Sequence, residues 1–231
     1  MEKTNVVLLP ALLCTAELFA AQTTAFKDKA HFTVPDLGTG GSIDAVAARI
    51  LNQAPQRFVL GGISMGGYVA FEIMRQAPER VAKLILMDTT AAPDAPEKRE
   101  SRLKGMNLAR KHGITPLVRP ALIDIMAPRH RADENLQAVL ERMASTVGVE
   151  GYVNEQNIIM SRPDSRSGLK DIKCPVLVCG GEEDMLTPPE SMKKTADSIP
   201  DARHVVIKGA GHFPPLEAPE AVNALFQEFL F

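Results

Sequence analysis

The chain has 231 residues, 45% of them hydrophobic, and a formal charge of -2. That length suits one large domain, or one domain with an insertion, whose core needs neither disulfide nor metal to hold it. A pI near 6.2 argues against a general nucleic-acid binder, which needs a basic face to neutralise phosphates. Cys14, Cys174 and Cys179 form no CxxC pair and no disulfide framework, as expected in a reducing compartment. The apolar run from Val6 to Leu13 is broken by Pro10 without a cleavage site, and no segment approaches the roughly twenty apolar residues of a membrane span. The expectation is a soluble cytoplasmic protein.

In chain order, "NVVLLP" is a strand stopped by Pro10, "HFTVPDL" a second stopped at Pro35, and "SIDAVAARILNQ" a helix with Ser42 at its N-cap. "RFVL" is a third strand, running into a sharp turn and another helix. "KLILMD", "CPVLVCG" and "ARHVVIKG" are three more strands, and "PEAVNALFQEFLF" is a closing amphipathic helix with Pro219 in its first turn. The strands read as apolar throughout, so an α/β fold is predicted, with a mostly parallel central sheet flanked by helices on both faces. Residues 93–168 break this rhythm with the helical patterns "RLKGMNLARKHG" and "ENLQAVLERMAST", separated by Pro116, Pro120 and Pro128, and with no strand. They are predicted to form a helical cap inserted into a core of residues 1–92 and 169–231. The cap holds almost half of the lysines and arginines, which makes it the place for a weak preference for an anionic ligand.

The stretch "VLGGISMGGYVAF", Val59 to Phe71, places Ser64 at a strand-to-helix junction crowded by glycines. Gly62 and Gly66 suit such a turn because a Cβ would obstruct it. Gly62-Ile63-Ser64-Met65-Gly66 fits the G-x-S-x-G nucleophile elbow, which exposes a serine Oγ and aims the next backbone N–H, that of Met65, at a developing oxyanion. A serine hydroxyl needs a general base near neutral pH. His212 follows the "HVVIK" strand on a glycine-rich loop, where the carboxyl ends of parallel strands gather, whereas His31, His112, His130 and His204 fall elsewhere. An acid must orient that imidazole. Asp184, on the loop after "VLV", gives the chain order Ser, Asp, His; Asp88, at the end of "LILMD", reaches the same edge and is the rival.

Together, the strand leading into "LPALLC", the "GGISMGG" elbow, "CPVLVCGGEEDMLTPPE" and "GAGHFPPLEAPEAV" resemble the α/β-hydrolase superfamily over nearly the whole chain. The resemblance implies Ser64 as nucleophile, His212 as base and Asp184 as acid. Pro10-Ala11 stand where the family usually has a His-Gly pair, so the second oxyanion donor carried over is the Leu12 N–H, beside that of Met65. The family's opening pair of strands is expected to be absent. That leaves the "HFTV" strand as a bare edge, which invites a covering segment or a homodimer.

The function expected is hydrolysis of a small to medium carboxylic ester through an acyl-enzyme, with no metal or organic cofactor. Lactonases, carbon–carbon bond hydrolases, pyruvate-eliminating synthases and ligand-binding receptors share the scaffold, so the triad alone does not choose among them. A carboxylate-bearing substrate would want an inward arginine, with Arg102, Arg119 and Arg162 as the candidates.

Overall fold

The computed structural model describes residues 3–231. Its elements in order are β1 (Thr4–Leu9), α1 (Ala20–Ala25), β2 (Ala30–Thr33), α2 (Ile43–Gln53), β3 (Phe58–Ile63), α3 (Met65–Gln76) and β4 (Val81–Met87). Three helices follow, α4 (Lys98–His112), α5 (Thr115–Ala121) and α6 (Glu134–Ser161), and then β5 (Val176–Gly181), α7 (Pro189–Asp197), β6 (Arg203–Ile207), α8 (Pro214–Glu217) and α9 (Pro219–Leu230). The six strands form one sheet in the order β2-β1-β3-β4-β5-β6, every pair parallel. Among the described residues no strand lies beyond β2, so β2 is the sheet's edge.

Side chains alternate between two cores, as the period of two requires. Leu8, Ile63, Ile85, Met87 and Leu177 face the side covered by α9 and the helices between β4 and β5. Leu9, Leu60, Leu84, Leu86 and Val178 face α2, α3 and α7. Two expectations need correction. β6 is only half buried, with Arg203 exposed and Val206 39% exposed, because an edge strand has one neighbour. Ser42 precedes α2 in extended conformation, but its side chain accepts no N–H from the helix.

The register sets up the site. Leu9 pairs with Gly62, Ile63 with Met87, Met87 with Cys179 and Gly181 with Ile207. The loops leaving β1, β3, β4, β5 and β6 therefore collect along one edge of the sheet, where such folds place ligands. α4, α5 and α6 pack on one another between β4 and β5. α6 is broken at Gly148, whose φ of 66° takes the chain through the left-handed region that glycine enters without steric cost. No described helix is long and apolar enough to cross a membrane.

Candidate active site

Ser64 alone separates β3 from α3, with φ 52° and ψ −115°. A non-glycine residue there carries strain of order 1–3 kcal/mol unless its surroundings hold it. They do: the Ser64 N–H donates to the Met87 carbonyl at 3.0 Å, and the Ser64 carbonyl accepts from Thr89 Oγ1 at 2.8 Å and from the Gly67 N–H at 2.9 Å. A Cβ on Gly62 would lie 2.4 Å from the Gly66 carbonyl oxygen, and one on Gly66 would lie 2.0 Å from that of Leu9. Hydrogen is the only substituent that fits either position.

His212 and Asp184 are both 2% exposed, and His212 Nδ1 lies 2.8 Å from Asp184 Oδ2. The Asp184 carboxylate also accepts from the Leu186 N–H at 2.8 Å and from Thr187 Oγ1. Burial alone would raise its pKa. The hydrogen bond and charge of His212, with the Thr187 and Leu186 donors, outweigh burial and hold the group at about 2. The His212 loop is fixed by a residue the sequence did not single out, Glu217, 7% exposed. Its Oε2 accepts from the Gly211 and Ala127 N–H groups at 2.9 and 2.7 Å, and its Oε1 from the Phe213 N–H at 2.8 Å. The available signal was a carboxylate five residues past the histidine inside the apolar run Phe213 to Ala218.

Asp88 is fully buried, and its Oδ1 accepts from the Gly181 N–H at 2.8 Å, which anchors the start of the Asp184 loop. Its Oδ2 has no partner. Burial first, and then the Asp184 charge, push its carboxyl well above the ordinary range. Burial and the Asp184 charge thus disfavour the ionised form of Asp88, whereas the donors around Asp184 favour the ionised form there. Ligating atoms of Asp88, Asp184 and His212 lie within 4.8 Å of one another. As a metal site this is a poor donor set, because Asp88 Oδ1, the Asp184 carboxylate and His212 Nδ1 are already engaged in hydrogen bonds to the protein.

After β1, Ala11 to Cys14 form a turn closed by the Cys14 N–H on the Ala11 carbonyl at 3.1 Å, with Leu13 at φ 60°. Its outer residue is Leu12. Among the described residues, neither the Leu12 nor the Met65 N–H donates to a protein acceptor. The Leu13 N–H donates to Glu155 Oε2 on α6 at 2.8 Å. Glu155 is 1% exposed, and burial raises its pKa to about 8 despite that bond. Burial, aided by the Glu155 charge, likewise pushes the Cys14 thiol well above its usual range, which leaves it inert.

Ser64, Leu12 and His212 border a single cavity of about 590 Å³ between the sheet edge and α4, α5 and α6. Of the three arginines singled out, Arg102 and Arg162 line it, whereas Arg119 is exposed and pairs with Asp124. Met106, Met126 and Met143 are buried in the core and do not reach the cavity. Glu183, next to Asp184 in sequence, pairs outward with Arg129.

Residues 6–225 match the alpha/beta hydrolase family. A Mycobacterium tuberculosis protein named as a non-heme bromoperoxidase, BpoC, is 31% identical over 196 residues, 80% of this chain and 71% of its own length. The pimeloyl-(acyl-carrier protein) methyl ester esterase of Neisseria meningitidis is 29% identical over 228 residues, 96% of this chain and 86% of its own. Among solved structures, a thermophilic esterase from Thermogutta terrifontis, with malate bound, superposes with a TM-score of 0.90 at 31% identity, covering 98% of this chain and 89% of that one.

Proposed function

The chain is a carboxylesterase-like enzyme of the alpha/beta hydrolase family, and from that premise we propose that it cleaves small to medium carboxylic esters through an acyl-enzyme on Ser64. The observation that carries this reading is the buried His212–Asp184 pair at 2.8 Å, bordering the same cavity as a serine held at a strained strand-to-helix turn.

Ser64 Oγ attacks the ester carbonyl while His212 Nε2 takes its proton. Asp184, bonded at Nδ1, keeps the proton of the resting imidazole on that nitrogen and stabilises the imidazolium that forms. The tetrahedral oxyanion accepts from the free Met65 and Leu12 N–H groups, the first of which gains from standing at the start of α3. His212 then protonates the departing alcohol, and water repeats the sequence to release the acid and restore Ser64. Residues 93–168 act as the cap that roofs the cavity and sets substrate size.

Hydrolysis of p-nitrophenyl esters of increasing acyl length, with wild type beside Ser64→Ala, tests the reading. Saturable turnover that falls by at least about a thousandfold in the alanine variant supports it. Unchanged turnover in Ser64→Ala, or no turnover of any ester by folded wild type, overturns it.

A further inference from the structure

The roof of the cavity carries a charge imbalance that ester cleavage alone does not need. Every ionised side chain on its wall is cationic, namely Lys98, Arg102 and Arg162. Behind them stands one carboxylate, Asp94. Arg102 grips it with Nε and Nη2 at 2.7 and 2.8 Å, and Arg162 Nη1 reaches the same carboxylate at 3.1 Å. The attraction of the two guanidiniums overcomes the effect of burial and lowers the Asp94 pKa. One negative charge thus answers two guanidiniums, and Lys98 forms no ion pair among the described residues.

Both arginines line the cavity and keep donors that no protein group takes. Arg102 spends one further N–H on Gln156 Oε1 at 3.1 Å, and Arg162 gives its Nε to the Ala92 carbonyl and its Nη1 to that of Ile159, both at 3.1 Å. Arg162 Nη2 donates to no group among the described residues, although the side chain is only 7% exposed. That nitrogen is not among the buried polar atoms left without a partner, so it keeps access to open space and can take an acceptor from a ligand. Its position also suits a substrate: the Arg162 guanidinium stacks 4.1 Å over the Tyr68 ring, and Tyr68 follows Ser64 by one turn of α3. Ser64, Tyr68 and Arg162 all border the one cavity, so the guanidinium and the nucleophile face the same substrate volume.

We propose that Arg102 and Arg162 form a subsite for a carboxylate, so that the preferred substrates are monoesters that keep a free carboxylate a short chain away from the carbonyl under attack. The proposal rests on the esterase reading above and adds the substrate class. The carboxylate could belong to the acyl part, as in a half-ester of a short dicarboxylic acid, or to the alcohol part, as in an acylated hydroxy acid.

The test compares kcat/KM for monomethyl glutarate with methyl hexanoate, and for 3-(butyryloxy)propanoate with butyl butyrate, by pH-stat. Each ratio of charged to neutral ester is taken on one protein sample, so the fraction of active enzyme cancels. The expected result is a ratio above about ten in one pair, reduced at least about fivefold in Arg102→Met and in Arg162→Met, and raised in Asp94→Asn, which removes the competing carboxylate. A structural role would lower both rates in those variants and leave the ratio alone. Ratios at or below one in both pairs, or ratios that the arginine variants do not change, overturn the proposal. Should wild type hydrolyse none of the four esters, the esterase reading fails separately, and glutarate titrated into Ser64→Ala by calorimetry decides the subsite. Millimolar or tighter binding that Arg102→Met abolishes sustains it, and absence of binding overturns it.

Discussion

Replacing Glu155 with glutamine should stabilise the protein, and by an amount that grows with pH. The folded chain buries this carboxyl and raises its pKa from 4.5 to about 8. Below the ordinary carboxylate pKa, both folded and unfolded chains hold the proton, and ionisation gives the variant no advantage over wild type. Above it the unfolded chain releases the proton while the folded chain keeps it, so each pH unit costs the wild-type fold about 1.4 kcal/mol until the folded pKa is reached. Over that span of roughly 3.5 pH units the cost reaches about 5 kcal/mol, a large share of a typical domain's 5–15 kcal/mol. The amide oxygen of glutamine can still accept the Leu13 N–H that Glu155 Oε2 takes at 2.8 Å, so the contact with the turn after β1 is retained. Urea unfolding followed by circular dichroism at pH 5 and pH 8 reads the difference directly. The advantage of Glu155→Gln should widen by about 4 kcal/mol between the two. Parallel stability curves would mean that water or a counter-charge reaches this carboxyl, and the argument would fail.

Asp184→Asn should lower kcat on an ester substrate by about four orders of magnitude, because the amide no longer fixes the imidazole tautomer or balances its charge. Asp88→Asn should cost less than about tenfold, since burial and the neighbouring Asp184 charge disfavour ionised Asp88 and the amide presents the same oxygen to the Gly181 N–H. Steady-state kinetics of both variants decide the matter, and comparable small losses would return Asp88 to contention. Glu217→Ala strands three backbone donors and should destabilise by roughly 3–5 kcal/mol, about 10 °C in Tm for a chain of this size. A calorimetric Tm within about 3 °C of wild type would show that water replaces the carboxylate.

What the sequence disclosed and what it withheld divide along a physical line. Ser64 and its glycines form a local device, fully written in the strand, turn and helix around them, and the short apolar runs announce a parallel sheet. The sequence favoured Asp184 over Asp88 by the position of its loop and by resemblance alone, because both end or follow strands on the same sheet edge. What separates them, three donors on one carboxyl and desolvation of the other, exists only once β4, β5 and the His212 loop pack together. α1 escaped notice for a related reason: with Gln22 as its buried residue, it shows no apolar stripe of the kind that marks a helix. α7 does bury one face, Met192, Thr195 and Ala196 at helical spacing, but that face is short and partly polar and does not stand out in the sequence. Glu155 and Glu217 read as ordinary surface acids in a string of letters. Their function comes from backbone N–H groups supplied by segments up to 142 residues away.

Those two carboxylates also show how the roof of the cavity takes part in the chemistry beneath it. Glu155, on α6, holds the turn that presents the Leu12 N–H. The Ile125 carbonyl, just after α5, accepts the His212 N–H at 3.1 Å, and Glu217 joins the His212 loop to the Ala127 N–H in the same segment. A Cβ on Gly211 would come 2.2 Å from that Ala127 nitrogen, so the two loops meet with no room to slide. In the mechanism proposed above, the helices that roof the cavity therefore also hold the base, His212, and one oxyanion donor, the Leu12 N–H. Substitutions in the roof that shift its backbone will therefore alter kcat together with KM, whereas changes confined to the tips of Arg102 or Arg162 act on substrate choice, because among the described residues neither arginine hydrogen-bonds the turn after β1 or the His212 loop.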